Sequence, residues 1–187
     1  VSQIMDFILA ANPDTAKIGL LYDKSQDSSK SAIEAAKAYC DKKGISYVEK
    51  TGTTTGEIQA AADSLVAEKV DAIFTPQDNT VMTAELAIFE KFVDAGIPHY
   101  TSADSIALNG AFLGYGVNYE TLGTKTADMV ADILANGADP AKTPVETLES
   151  GIVTVNTEVA EQLGIDYSVL KDMCSELIET VTAEEFN

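Results

Sequence analysis

Short apolar runs alternate with amphipathic helical segments along most of this chain, and that rhythm narrows the available folds more than any other feature. Segments 16–22, 45–51, 70–76, 97–101 and 111–117 read as strands. Between the first four, segments 28–43, 56–68 and 80–95 carry apolar residues at helical spacing: Ile33, Ala36 and Cys40, then Ile58, Ala61 and Leu65, then Leu86, Phe89 and Val93. Gly44 and Gly96 supply stop signals. A helix between successive strands is the crossover that parallel pairing requires. The spacing therefore predicts an α/β chain with a parallel, Rossmann-like sheet of about five strands flanked by helices. The strands are near-continuous apolar runs, as burial on both faces demands.

The last third changes character. A helix is expected over 119–136, with Leu122, Met129, Val130, Ile133 and Leu134, stopped by Gly137. Short strands are expected at 145–149 and 152–156, a short helix at 157–163 and a final helix at 169–181. At the other end, Ile4, Phe7 and Ile8 share one helical face.

Charge excludes whole classes of partner. Twelve Lys+Arg stand against 30 Asp+Glu, a formal net charge of −18. A nucleic-acid binder needs a cationic footprint, so nucleic acid is excluded as a partner. Docking on an anionic membrane through a basic patch is disfavoured for the same reason. Cys40 and Cys174 are the two cysteines and spell neither a disulfide framework nor a metal motif.

Enzyme templates fit poorly. The stretch Gly52-Thr-Thr-Thr-Gly56 lacks the Lys-Ser/Thr ending of a phosphate loop and reads as a turn into a helix. Segments 50–52 and 168–171 match two β-lactamase-type motifs in the wrong chain order, without the motif that belongs between them. His99 is the single histidine, so neither a triad nor a multi-histidine metal site is supported. No catalytic residue, metal or cofactor is expected.

The polar loops that follow the strands carry the functional signal. Ligands of open parallel sheets bind outside the carboxyl ends of the strands. There the sequence places Ser28 after the first strand, Asp78, Asn79 and Thr80 after the third, Asp104 after the fourth and Asn118 after the fifth. Ser28, Thr80 and Asn118 are also candidate helix N-caps. Together these loops form a polar rim suited to a small zwitterion: helix N-termini and hydroxyls for its carboxylate, Asp78 or Asp104 for its ammonium group.

The runs IGLLYDKSQDSS at 18–29, VDAIFTPQDNT at 70–80, AGIPHYTSADS at 95–105 and GYGVNYETLG at 114–123 resemble the ABC-transporter substrate-binding family, of the tryptophan/tyrosine-binding type. The resemblance continues through ADPAKTPVET at 138–147 and AEQLGI at 160–165. It implies one lobe of a type I periplasmic-binding fold, with a further N-terminal lobe preceding the matched part. On it, residues 1–117 form the C-terminal lobe, 118–150 the hinge crossing with a helix and strand of the other lobe, and 151–187 the return. It implies a solute-binding component of an ABC importer that captures a small amino acid, aromatic in type, and hands it to a membrane permease. Ser28, Asp78, Asn79, Thr80, Asp104 and Asn118 supply this lobe's contacts, although the family carries an acidic residue where Asn118 stands. Export is implied too, as a membrane-tethered lipoprotein or a periplasmic protein. Without the other lobe, the apolar face of 119–136 is expected to fold back onto the sheet, swap or dimerise. The alternative class is a sugar- or nucleoside-binding α/β domain, regulatory or enzymatic.

Overall fold

The computed structural model describes residues 1–148 and 151–183. In chain order it places α1 (Ser2–Ala11), β1 (Lys17–Tyr22), α2 (Asp27–Lys43), β2 (Ser46–Thr51), α3 (Thr55–Ala67), β3 (Ala72–Thr75), α4 (Asn79–Ala84) and α5 (Phe89–Asp94). There follow β4 (His99–Thr101), α6 (Asp104–Leu108), β5 (Leu113–Gly116), α7 (Tyr119–Asn136), β6 (Ile152–Asn156), α8 (Thr157–Leu163) and β7 (Glu176–Thr180). Single 3-10 segments lie at Glu85–Ala87 and Ser168–Met173.

The strands form one sheet in the order β2-β1-β3-β4-β5-β6-β7. Strands β1 to β5 are parallel, as the crossover argument requires. Side chains alternate between the two faces. Ile18, Leu20, Phe74, Tyr100 and Phe112 join Phe7 and Ile8 of α1 and Ile33 of α2 in one apolar layer. Leu21 and Ile73 face the other way, into a layer completed by Ile58 and Leu65 of α3 and by Phe92 of α5. Each fully buried side chain of this size stabilises the fold by about 1.5–3 kcal/mol.

The ends of the sheet differ from the sequence-based expectation. There are seven strands among the described residues, not about five, and β6 pairs with β5 antiparallel. The chain leaves β5 at the carboxyl edge and returns at the same edge, so β6 must run downward. Residues 169–181, expected as a helix, instead form most of the 3-10 segment and β7, which pairs parallel with β6. The open edge of β6 needs backbone partners, and that demand overrides the weak helical pattern. No strand forms over 145–148; Glu149 lies outside the described residues. The helix expected over 80–95 is broken at Glu85–Ile88, where the backbone turns Glu85 and Ile88 into the interior. Helix α7 does not fold back onto the sheet, and none of its residues is buried.

Tyr115 staples the outgoing and returning chains. Its hydroxyl accepts the Gly151 N–H at 2.9 Å and donates to Gln3 Oε1 at 3.0 Å. Gly151 fits because it has no side chain: a Cβ there would lie 2.5 Å from the Tyr115 ring and 2.6 Å from the Gly116 carbonyl oxygen. Gly151→Ala is therefore expected to destabilise the fold by about 1–3 kcal/mol, the usual cost of overpacking. A urea midpoint unchanged by the substitution would remove this close approach as a constraint.

Candidate functional site

The loops after β1 and β3 meet in a buried polar knot. Asp78, 1% exposed, ends the β3 loop and caps α4. Its Oδ1 accepts the Thr80 and Val81 N–H groups, each at 3.0 Å, and the Gln26 side-chain amide at 3.1 Å. Its Oδ2 accepts the Asp23 N–H at 2.7 Å and the Ser29 hydroxyl at 3.0 Å. Five donors thus occupy one carboxylate, and three of them, from Asp23, Gln26 and Ser29, are within reach only because β1 and β3 are adjacent.

Asp23 stands beside it, also buried. The Ser25 N–H and hydroxyl donate to its Oδ1, and the Thr80 hydroxyl donates to its Oδ2 at 2.8 Å. Burial by itself pushes the Asp23 carboxyl up; the hydrogen bonds from Ser25, Thr80 and Gln26 together outweigh it and hold the group below its ordinary value.

Each residue singled out in the sequence has a definite place. Asp78 and Thr80 are in the knot. Asn79 is exposed on the first turn of α4. Ser28 is exposed as well, and the N-cap position of α2 belongs to Gln26, so it is Ser29 that turns inward. Thr80 is likewise not a cap; Asp78 is. Asn118 does cap α7, accepting the Thr121 N–H at 2.9 Å.

Asp104 lies half-buried at the start of α6. Two glycines bring it to the rim. A Cβ on Gly114 would strike the Ala103 carbonyl oxygen at 2.5 Å, and one on Gly116 would lie 3.5 Å from the Asp104 carboxyl carbon. The bare strand thus lets α6 start against β5. Asp104 Oδ1 accepts the Ser105 N–H at 2.9 Å, and its Oδ2 has no hydrogen-bond partner among the described residues. Unlike Asp78, it keeps acceptor capacity for a ligand.

The sequence reading passed over Asp23, Gln26 and Ser29. For Ser29 the signal was present: it shares helix phase with the buried Ile33, Ala36 and Cys40. For Asp23 and Gln26 nothing local distinguishes them from other loop residues.

Beside the rim, a cleft of about 450 Å³ separates Asn118, Thr121 and Lys125 on α7 from Thr147, Leu148 and Glu176. Lys125 reaches across to Glu146 at 3.5 Å, an exposed pair worth at most about 1 kcal/mol. A larger concavity of about 600 Å³ lies between α5 and α8 and contains none of the rim residues.

The sequence profile of the ABC transporter substrate binding protein family matches residues 1–174. The chain belongs to that family. It is 26% identical over 163 residues to a tyrosine-binding protein of Clostridioides difficile, covering 87% of this chain and 47% of the relative. Its fold superposes with a TM-score of 0.81 on the ligand-free, open structure of a Clostridium difficile substrate binding protein with adhesive properties, at 29% identity. It superposes with a TM-score of 0.79, at 30% identity, on an ABC domain from Streptococcus pneumonia in complex with L-Trp. These two matches cover 98% and 95% of this chain but 60% and 59% of the other chains. The chain thus spans about half to three-fifths of the length of these substrate-binding relatives.

Two outcomes are expected from the knot. Asp78→Ala strands five donors and removes a cap, and is expected to cost about 3 kcal/mol or more in urea unfolding. Asp23 has a lowered carboxyl value in the folded protein, so its contribution is present above the unfolded value of about 3.9 and is lost as pH falls through the folded value. Asp23→Asn should therefore flatten the acid limb of the stability profile, read as the urea midpoint between about pH 5 and pH 2. Parallel acid limbs for the two proteins would show that Asp23 is not held in this way.

Proposed function

We propose that this chain is one lobe of the solute-binding component of an ABC importer, and that it captures a small amino acid, aromatic in type, for delivery to a membrane permease. The observation that carries this reading is the free Asp104 Oδ2 at a carboxyl-edge rim that also presents Asn79 and Asn118. The Asp104 carboxylate takes the ligand's ammonium group, and the exposed hydroxyl of Ser28 and amides of Asn79 and Asn118 suit its carboxylate, while Thr80, its hydroxyl given to Asp23, holds the loop that presents them. Asp78 acts on the ligand through the loops it ties. The L-Trp complex of one relative and the tyrosine-binding name of another support the aromatic class.

Residues 1–117 form the main body of this lobe, 118–150 cross into a second lobe and 151–187 return. The unburied α7 supports that division, because its Leu122, Val130 and Leu134 are all exposed and need apolar cover. The ligand is then enclosed between the lobes as they close about the crossings. Such a component works outside the cell membrane, as a tethered lipoprotein or in a periplasm.

Titration calorimetry tests the ligand class, using L-Trp, L-Tyr and L-Phe on the protein extended to both lobes. Binding is expected there, with Asp104→Asn weakening it about 10-fold to 100-fold, the loss of one charge-assisted contact of about 1.5–3 kcal/mol. A sugar or nucleoside that binds tightly where all three amino acids fail would overturn the assignment. Light scattering on this chain alone is expected to show self-association through α7, and a clean monomer at all concentrations would count against an exposed apolar face there.

A further inference from the structure

The two glycines of β5 stand in one strand for different reasons. Gly114 is required by packing, because a Cβ there would lie 2.5 Å from the Ala103 carbonyl oxygen and 2.7 Å from the Asp104 Cα. Gly116 is not. A Cβ on it would meet nothing closer than the Asp104 carboxyl carbon at 3.5 Å and the Asp104 Cβ at 3.6 Å, which is ordinary contact. Its φ is not positive, so the backbone does not call for glycine either. The register with β6 runs unbroken through Gly116 to Ile152, so no bulge accounts for it. A glycine inside a strand weakens it, and where neither packing nor backbone demands one it marks a place that another molecule approaches closely.

The space that Gly116 leaves open lies against the Asp104 carboxyl group. Asp104 gives Oδ1 to the Ser105 N–H, and its Oδ2 has no partner among the described residues. A methyl group on residue 116 would take the near side of that carboxylate. An unexplained gap in the backbone and an unfilled acceptor on a side chain thus coincide at one point of the rim.

Three positions past Gly116 stands Tyr119, a span of at most about 11 Å of chain. Tyr119 is 58% exposed, and it is the one exposed aromatic residue among the described residues. It opens α7 directly after the Asn118 cap, so its backbone is fixed. At helical spacing it shares a face with Leu122, Val130 and Leu134, whereas Asn118, Thr121 and Lys125 line the cleft on another face. Tyr119 is the rim end of that apolar stripe; Val130 lies about 16 Å further along the axis. The other rim groups, Ser28, Asn79, Asp104 and Asn118, are polar, so Tyr119 is the one among them that offers a ring an apolar face. A tyrosine presents such a face at small entropic cost, since only two side-chain torsions are fixed.

We propose that Gly116 and Tyr119 are specificity-determining residues of the ligand site: Gly116 opens the Asp104 carboxylate to the ligand's ammonium group, and Tyr119 stacks on the ligand's ring. The proposal rests on the reading of the carboxyl edge as the face that takes an aromatic amino acid.

The test is titration calorimetry with L-Trp and L-Phe on the protein extended to both lobes, with melting temperatures taken on the same samples. Gly116→Ala is expected to melt no lower than the unaltered protein, because the methyl group fits and the unfolded chain loses freedom. It is expected to weaken both amino acids about tenfold or more, as the charge-assisted contact is obstructed. Tyr119→Ala is expected to weaken both by about threefold to tenfold, the worth of an aromatic pair, and Tyr119→Phe to bind as the unaltered protein does. Val130→Ala, on the same stripe but away from the rim, is expected to leave affinity unchanged. Unaltered affinity in Gly116→Ala would overturn the role of the glycine. Equal affinity losses in Tyr119→Ala and Val130→Ala would mean that Tyr119 only packs along the stripe, and would overturn the stacking role, as would unaltered affinity in Tyr119→Ala. Failure of the unaltered two-lobed protein to bind either amino acid is a different result: it overturns the proposed function itself, and this inference with it.

Discussion

The carboxylate of Asp78 is the contact on which the rim at the carboxyl edge of the sheet depends. It ends one strand loop, starts a helix and holds the backbone of a second loop, all through short hydrogen bonds in a nearly water-free position. A buried carboxylate is tolerable only where its lone pairs are filled, and here five donors fill them. The consequence is a rim whose β1 and β3 loops are held in one geometry. The same saturation leaves Asp78 without a free acceptor, whereas Asp104 Oδ2, further out on the rim, has no hydrogen-bond partner among the described residues.

Beneath that rim the sheet carries a polar interior where an α/β core is ordinarily apolar. Thr75, His99 and Glu85 are all buried, yet the ring's two nitrogens and the hydroxyl are partnered. Such a network is specific as well as costly, because any slip of β3 against β4 breaks several bonds at once. The broken helix between α4 and α5 follows from it. A continuous helix over 80–95 would have had to present Glu85 at a phase set by the helix, whereas the 3-10 turn delivers it to the histidine.

At the other end of the sheet, the geometry of two adjacent crossings sets the chain direction. Tyr115 and Gly151 hold the outgoing and incoming strands together, and Ser175 adds a bond to the Gly151 carbonyl at 2.8 Å. Between them in sequence, α7 buries none of its residues and leaves Leu122, Val130 and Leu134 exposed. The chain belongs to the substrate-binding family and spans about half to three-fifths of the length of the relatives it matches.

The parallel half of the sheet was legible in the sequence because its signals are local. Apolar runs such as 18–21 and 72–75, helical stripes such as Ile58, Ala61 and Leu65, and stops such as Gly44 act over a few residues. The residue types of the rim were legible for the same reason, since polar loops after strands need only their place in the order. Tertiary structure alone decided that Asp78 is consumed internally while Asp104 is not, because donors from Asp23, Gln26 and Ser29 reach it only once β1 and β3 lie side by side. It also decided that Glu176–Thr180 is a strand rather than a helix, since the unpaired edge of β6 exists only in the assembled sheet. Periodicity is a property of neighbours in sequence; the filling of a buried lone pair or an open strand edge is a property of neighbours in space.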